Sequence, residues 1–159
     1  MDAGGGAMEF NAQSLRHVRG VIRFFDFSER EVCARHALTQ TEADILAFLD
    51  NNPERDTASD IVEYRMLPKG YVSKAVEALI RGGYLLRSKD GADRRRIHLL
   101  PTDAARPVLR ELSACREEFQ NRLFAGFTPE ERRAYESLSA RIYENAASAM
   151  KGTGIASNV

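Results

Sequence analysis

The sequence predicts a mainly α-helical protein with a single two-stranded β-hairpin. Apolar residues recur at helical spacing through most of the 159-residue chain. The spacing changes to that of strands only at 84–88 and 96–100, which are connected by a polar turn containing Asp90-Gly91. With 43% hydrophobic and 29% charged residues, the composition is that of a folded globular chain. The hairpin is therefore expected inside an otherwise helical protein.

Length and composition exclude several classes of protein. A chain of about 150 residues buries roughly two-thirds of its unfolded surface, so it needs neither a disulfide nor a metal to fold. The two cysteines, Cys33 and Cys115, are too few for a secreted disulfide framework. No apolar run approaches the roughly 18 residues of a membrane span, and residues 1–8 lack the apolar stretch of a signal peptide. We expect a cytoplasmic protein with no membrane partner.

The N-terminal part of the chain predicts two helices. The first covers 9–27, and its apolar residues are spaced by three or four positions: Leu15, Val18, Ile22 and Phe25. A second, shorter helix is predicted over 28–37, because Ser28 and the acids after it are favourable near a helix start. Residues 1–8 and 151–159 are rich in small residues and are expected to be disordered tails.

Capping motifs place the next two helices. Thr39 and Glu42 have capping-box spacing and open a helix that Asn51-Asn52-Pro53 ends. This helix is expected to bury Ile45, Leu46, Phe48 and Leu49. Thr57 and Asp60 repeat the capping-box spacing and open a short helix to about residue 65.

A further helix is predicted over 69–81. Pro68 is favourable in its first turn, and Gly82-Gly83 ends it because glycine tolerates left-handed dihedral angles. The buried face is a stripe at i, i+3, i+4, i+7 and i+8, formed by Val72, Ala75, Val76, Leu79 and Ile80.

Two helices follow the hairpin. Thr102 is expected to cap a long helix with the apolar residues Val108, Leu112, Cys115, Phe119 and Leu123. Thr128, the proline after it and two acids open the last helix, whose apolar face contains Tyr135, Leu138, Ile142 and Ala146. Two helices joined by a tight turn and followed by a basic hairpin form a winged helix-turn-helix arrangement. Helices flank this arrangement on both sides.

Charge is segregated along the chain although the net charge is zero. The segment 65–98 contains nine lysines and arginines and three acids, whereas 41–63 contains seven acids and only Arg55 as a base. Such segregation favours one basic surface on an otherwise acidic body, the pattern of a nucleic-acid interface. Solvated helix faces are the alternative explanation of the charge pattern taken alone.

Four stretches of the sequence carry a family resemblance: Leu38-Thr39 through Leu46, Ala58 through Val62, Val72 through Leu85, and Asp93-Arg94-Arg95-Arg96 through Leu99 with Thr102. In this order and spacing they resemble the MarR-type (multiple antibiotic resistance) transcriptional regulators. The last stretch resembles the Asp-x-Arg signature of the family's wing. The resemblance extends over about 9–150. The chain departs from the family at Pro68-Lys69-Gly70, where Asp, Arg and Ser are frequent, and at the bulky Tyr71, so the base preference of relatives does not carry over.

The resemblance implies a division of the chain and a mode of action. Residues 9–37 and 102–150 would form a dimerisation region around a winged helix-turn-helix DNA-binding domain at 38–101. The apolar faces of the terminal helices, which include Leu15, Leu138 and Tyr143, need a partner, and in the family the partner is a second subunit. A two-fold homodimer on double-stranded DNA predicts a palindromic operator. Family members usually act as repressors that a ligand or an oxidant releases.

The helix over 69–81 is the expected recognition helix. If its apolar stripe is buried, the side available to the major groove carries Lys69, Gly70, Tyr71, Ser73 and Lys74. The lysines can reach phosphates or guanine, and the serine can contact a base edge or the backbone. Gly70 would allow close approach, and the tyrosine would contact a thymine methyl group or a phosphate. Glu77 and Arg81 are expected to be solvated.

The wing carries three adjacent arginines after an aspartate. Arg94, Arg95 and Arg96 suit the negative potential of a narrow, A·T-rich minor groove. In the family the arginine of Asp-x-Arg, here Arg95, enters that groove. Asp93 is expected to orient the arginines through charge-assisted hydrogen bonds. The alternative is a solvated, charged hairpin.

The effector is the least defined part of the prediction. Relatives bind small aromatic ligands between the dimer helices and the DNA-binding lobe, and Phe24, Phe25, Phe27 and His36 could line such a pocket, although aromatic residues at helical spacing are more often core residues. Cys33 could sense oxidants if its thiol were exposed and its pKa lowered by a neighbouring arginine such as Arg30 or Arg35. Cys115 lies on an apolar stripe and is expected to be a packing residue.

Other classes of function have little support in the sequence. There is no glycine-rich phosphate loop, nucleophile elbow or zinc-protease motif, so we expect no catalytic residues, no cofactor and no metal site. Cys33-x-x-His36 lacks the further ligands that a metal needs. A winged-helix module that binds another protein instead of DNA remains an alternative, but it would leave Lys69, Lys74 and the wing arginines without a role.

Overall fold

The computed structural model describes residues 12–89 and 96–152. Within these ranges the chain forms six α-helices, one short 3-10 helix and one antiparallel hairpin. The elements, in chain order, are α1 (Ala12–Arg35), α2 (Gln40–Asn51), α3 (Ala58–Arg65), α4 (Lys69–Arg81), β1 (Leu85–Lys89), β2 (Ile97–Pro101), a 3-10 turn (Asp103–Ala105), α5 (Arg106–Leu123) and α6 (Pro129–Gly152). The mainly helical fold class with a two-stranded wing is confirmed.

The N-terminal segment is one helix, so the predicted break before Ser28 is wrong. The Ser28 hydroxyl donates to the Phe25 carbonyl at 2.7 Å, which satisfies the side chain inside a continuous helix. The next turns also bury Glu29, Val32 and Cys33 on a single face. Packing of this face against the rest of the protein keeps α1 continuous to Arg35.

The helix-turn-helix is built as its local signals predict. Both capping boxes form, with Thr39 capping α2 and Thr57 capping α3 through reciprocal hydrogen bonds to Glu42 and Asp60. The predicted apolar residues of α2 are all buried. Helix α4 follows Pro68, as predicted, and ends at Gly82, where Gly83 takes a φ of +77°. These caps fix where α4 begins and ends relative to α2 and α3.

Each of the two wing strands begins and ends one residue later in the chain than predicted. Leu85 pairs with Pro101 and Lys89 with Ile97, in antiparallel register. Thr102 does not cap the following long helix: its hydroxyl donates to the Gly83 carbonyl at 2.6 Å, and its N–H donates to the Tyr84 carbonyl at 2.9 Å. The threonine thus ties the end of β2 to the turn after α4, and a 3-10 turn precedes α5.

The core lies between α2, α4, the wing base and the first half of α5. It includes Ile45, Leu46, Ile61, Val72, Leu79, Leu85, Leu99, Val108 and Leu112, each nearly inaccessible to solvent.

Helix α6 begins with the predicted Thr128 cap, whose hydroxyl oxygen accepts a hydrogen bond from the Glu131 N–H at 3.2 Å. No helix within the described ranges is long and apolar enough to cross a membrane.

Candidate nucleic-acid interface

Helix α4 has one buried and one exposed face, as the sequence predicts. Val72, Ala75, Val76 and Leu79 are buried in the core. Every predicted contact residue of this helix is exposed: Lys69, Gly70, Tyr71, Ser73 and Lys74. Tyr71 is 67% exposed, an unusual position for a large aromatic side chain, and no described part of the protein covers it.

The charges on this exposed face are predominantly positive. Within the described part of the chain, Lys69 and Lys74 form no ion pair. Glu77 pairs with Arg87 of β1, so this acid is neutralised by the wing and not left as a free negative charge on the helix. Both side chains of the pair are about half exposed, and solvent screening keeps its contribution to stability small. The pair leaves Lys69 and Lys74 as uncompensated charges in the first half of α4.

The wing is described only at its base. Arg96 is exposed just before β2, whereas Asp93, Arg94 and Arg95 lie outside the described residues. The positive charge of Arg96 acts on Asp60 of α3. Burial acts to raise the pKa of Asp60, but the Thr57 hydrogen bonds and the charges of Arg96 and Arg55 outweigh it and lower the pKa.

The four predicted effector residues have separate environments. Phe24 and Phe25 pack against Phe119 of α5, with ring centroids 5.0 and 5.3 Å apart. Phe27 is 62% exposed, with Arg30 over its ring at 5.5 Å. His36 Nε2 lies 3.1 Å from a Glu111 carboxylate oxygen. The two packed phenylalanines therefore join α1 to α5, and the other two residues lie apart from that contact.

A cavity of about 280 Å³ lies between α2 and α5. Its walls are mostly polar and consist of Ala47, Asp50, Asn51, Leu109, Ser113, Arg116, Glu117 and Gln120. None of the predicted aromatic effector residues lines it, so the sequence-based pocket and this cavity are different places.

The conditions for a redox role of Cys33 are not met. Cys33 is buried, and its thiol donates to Gln40 Oε1 at 3.7 Å. Burial, together with the charges of Glu29 and Cys115, raises the pKa of Cys33 and disfavours the reactive thiolate. Arg30 and Arg35 do not activate it, because they contact Phe27 and Glu111. Among the described residues no group of histidine, cysteine and acidic side chains could hold a metal.

A buried polar network, which sequence reasoning missed, joins α1 to the helix-turn-helix. Glu29 is 0% exposed and accepts hydrogen bonds of 2.6 Å from both Arg116 Nε and Gln40 Nε2. Arg116 Nη2 is buried 3.7 Å from Asp44, without a hydrogen-bond partner in the described structure, and Asp44 accepts from Arg65 Nε at 2.7 Å. We call these five residues the junction network.

The junction network runs from the N-terminal helix to the turn before α4. It connects α1 through α5 and α2 to Arg65, the last residue of α3. Burial raises the pKa of Glu29 above its usual value; Arg116 opposes the shift, and the Asp44 and Asp26 charges add to it. The sequence contained one signal: in a continuous α1, Glu29 follows Ile22 and Phe25 on the apolar stripe.

The long terminal helices leave large apolar side chains exposed. On α1, Leu15, Val18 and Ile22 are 43%, 51% and 53% exposed. On α6, Leu138 and Ile142 are 55% and 66% exposed, and Tyr143 is half exposed. An apolar surface of this extent is typical of an interface between subunits.

Comparison with known proteins places the winged-helix segment in a family. Residues 37–96 match the MarR family. Over 75 residues the chain is 37% identical to the transcriptional regulator AdcR of Streptococcus pneumoniae serotype 2. This alignment covers 47% of the chain and spans half the length of that curated relative.

Solved structures extend the similarity to the whole fold. A MarR protein from Peptoclostridium difficile superposes with a TM-score of 0.79 at 20% identity, covering 96% of this chain and 99% of that one. A MarR family regulator from Listeria monocytogenes, solved with a 26mer DNA, gives 0.75 at 17% identity, covering 85% and 89%. The winged-helix segment thus matches the MarR family of transcriptional regulators, and the whole described chain has the fold of these solved structures.

Proposed function

We propose that the protein is a homodimeric, sequence-specific DNA-binding repressor that acts on a palindromic operator. The observation that carries the proposal is the division of α4 into a buried apolar face and an exposed face with two uncompensated lysines. The fold is shared with a Listeria regulator that was solved with DNA. A basic exposed helix between a capped partner helix and a wing is the geometry that enters a major groove.

The exposed residues of α4 have distinct roles in this proposal. Lys69 and Lys74 bind phosphates or guanine edges, and Ser73 hydrogen-bonds to a base edge or to the backbone. Tyr71 packs on a thymine methyl group or donates its hydroxyl to a phosphate. Arg94, Arg95 and Arg96 place positive charge in the adjacent minor groove, and Asp93 orients them.

A small aromatic effector that binds near the contact between α1 and α5 would release the operator. Phe24 and Phe25 are the proposed effector residues at that contact, and Phe27 and His36 are proposed effector residues that lie apart from it. The contact between Phe24, Phe25 and Phe119 supports this placement, because a flat apolar ligand that separates these rings would move α1 relative to α5. Such a ligand shifts the repressor towards its released state by binding that state more tightly.

The proposed function is tested with the upstream intergenic DNA of the protein's own gene. Fluorescence anisotropy should give a much tighter dissociation constant for this duplex than for a scrambled duplex, and affinity should fall steeply with salt. Equal, weak binding to both duplexes would contradict a specific operator there. Absence of binding at low salt would favour a winged-helix module that binds protein.

Removing the apolar side chains of α6 should dissociate the dimer. The double substitution Leu138→Asp/Ile142→Asp places two charges on the exposed stripe, and burial of unpaired charge in an interface is strongly unfavourable. Light scattering after size exclusion should give the 17.8 kDa monomer. The control Leu86→Asp, on an exposed leucine of β1, should remain a dimer. An unchanged dimer in the α6 variant would place the interface elsewhere.

The substitution Gly70→Ala should weaken DNA binding without lowering the stability of the fold. A Cβ at this position would meet no atom within 4 Å, and alanine is a better helix former than glycine by about 0.5–1 kcal/mol. The melting temperature should therefore stay the same or rise. DNA affinity should fall several-fold, since the methyl group would occupy the space between the helix and the groove. Unchanged affinity would mean that the DNA does not approach this residue closely.

A further inference from the structure

Asp56, in the loop between α2 and α3, accepts two hydrogen bonds from the base of the wing. Its side chain accepts a hydrogen bond from His98 Nδ1 on β2, with 2.7 Å between the two atoms. Its backbone carbonyl accepts the N–H of Leu99, the next residue of the same strand, also at 2.7 Å. The side chains of Asp56 and His98 are only 14% and 22% exposed, so solvent competes weakly for their hydrogen bond.

The position of this pair connects the wing to the helix-turn-helix. Asp56 immediately precedes Thr57, the capping residue of α3, so its backbone is fixed by that cap. His98 lies three residues after Arg95 in the chain and opposite Ser88 in the hairpin. At the other end of β2, Thr102 is bonded to Gly83 and Tyr84 after α4. Strand β2 is thus attached to the loop before α3 at one point and to the turn after α4 at another.

We propose that Asp56 and His98 are positioning residues that set the angle at which the wing meets DNA. The inference rests on the proposed function and assigns to this pair the orientation of the wing arginines. The Thr102 attachment fixes one end of β2, and the wing could still turn about it. The Leu99–Asp56 backbone hydrogen bond and the Asp56–His98 hydrogen bond together hold β2 at a second point, and the Asp56–His98 bond is the one that a side-chain substitution removes.

The effect of the pair on DNA affinity should oppose simple electrostatics. Asp56 is an acid near a basic surface, so its removal should strengthen DNA binding if its charge were all that mattered. If the residue positions the wing, its removal should weaken binding instead. The direction of the change therefore separates the two explanations.

The test compares disruptive and conservative variants on the same operator duplex. Asp56→Ala and His98→Ala should each weaken binding by roughly tenfold, the scale of one lost groove contact. Asp56→Asn keeps an oxygen acceptor, and His98→Asn keeps an N–H donor close to the Nδ1 position, so both should bind within about twofold of the wild type. Thermal unfolding checks that each variant is folded, and His98→Ala carries the test if Asp56→Ala does not fold.

A double-variant cycle with Arg95→Ala identifies the route of the effect. If the pair acts through the wing, Asp56→Ala should add little to the loss already caused by Arg95→Ala. Fully additive losses, or alanine variants that bind as tightly as the wild type, would overturn the inference while the proposed function stands. A wild-type protein that binds no duplex specifically would overturn both.

Discussion

Replacing Arg116 with methionine should destabilise the protein by about 3–5 kcal/mol, the usual cost of leaving a buried charge without its partner. Glu29 is fully buried, and Arg116 is the only cation in hydrogen-bond contact with it among the described residues. Urea unfolding at pH 7.5 and fixed protomer concentration measures the loss. The matched control is Arg122→Met on the same helix, since Arg122 and Glu118 form an exposed i,i+4 pair and should contribute under about 1 kcal/mol.

The loss caused by Arg116→Met should depend on pH. Burial already raises the pKa of Glu29 in the folded protein, and removing Arg116 raises it further because a cause that lowers it is gone. A folded-state pKa above the unfolded one means that stability falls as pH rises through the folded pKa. The cost of the substitution should therefore be smaller at pH 5 than at pH 7.5, where the unpaired carboxylate is charged.

A second substitution distinguishes the ion pair from simple packing. Glu29→Gln/Arg116→Met contains no buried carboxylate at this position and should be more stable than Arg116→Met alone. If the double variant is less stable than the single one, or if the loss is the same at both pH values, the carboxylate of Glu29 is not the source of the cost.

Reversing the charge of Lys69 and Lys74 should have the largest effect on DNA binding. Each lysine is exposed on α4 and uncompensated by an acid in the described structure. A phosphate contact that becomes a repulsion costs more than its loss, so Lys69→Glu/Lys74→Glu should lower operator affinity by more than about a hundredfold. The slope of log K against log salt should also become shallower by at least about two, one for each lost phosphate contact.

The control for this double variant changes charge without touching the proposed interface. Arg110→Glu introduces the same reversal at an exposed position of α5, outside the helix-turn-helix. It should change affinity only slightly. If Arg110→Glu weakens binding as much as a single lysine reversal, overall charge rather than contact governs binding, and α4 is not the recognition helix.

Local signals predicted the winged helix because each of its elements is specified by nearby residues. The capping boxes at Thr39 and Thr57 lie within four residues of what they cap, and Gly83 ends α4 by adopting a positive φ. The exposure of Lys69, Tyr71 and Lys74 followed from the helical period alone. These features need no knowledge of distant parts of the chain.

The errors arose where a distant partner decides the structure. Ser28 and the acids after it resemble a helix start, and only packing against the rest of the protein keeps α1 continuous there. The burial of Glu29 depends on Arg116, 87 residues later, and no local pattern predicts such a pair. The Glu77–Arg87 and Asp56–His98 contacts likewise join the wing to other elements, so the sequence predicted the wing but not its attachments.

Helix α1 is continuous across two regions, before and after Ser28, that the sequence predicted as separate helices. At 1.5 Å per residue its 24 residues span about 36 Å, with the exposed apolar surface towards one end and Glu29, Val32 and Cys33 towards the other. A straight helix transmits a tilt along its whole length. In the proposed dimer, a change in the angle at which two α1 helices cross would therefore displace the junction network of both subunits and, through Arg65, the entry to each α4. In the proposed dimer, the distance between the two α4 helices would therefore depend on the angle at which the two α1 helices cross at the subunit interface.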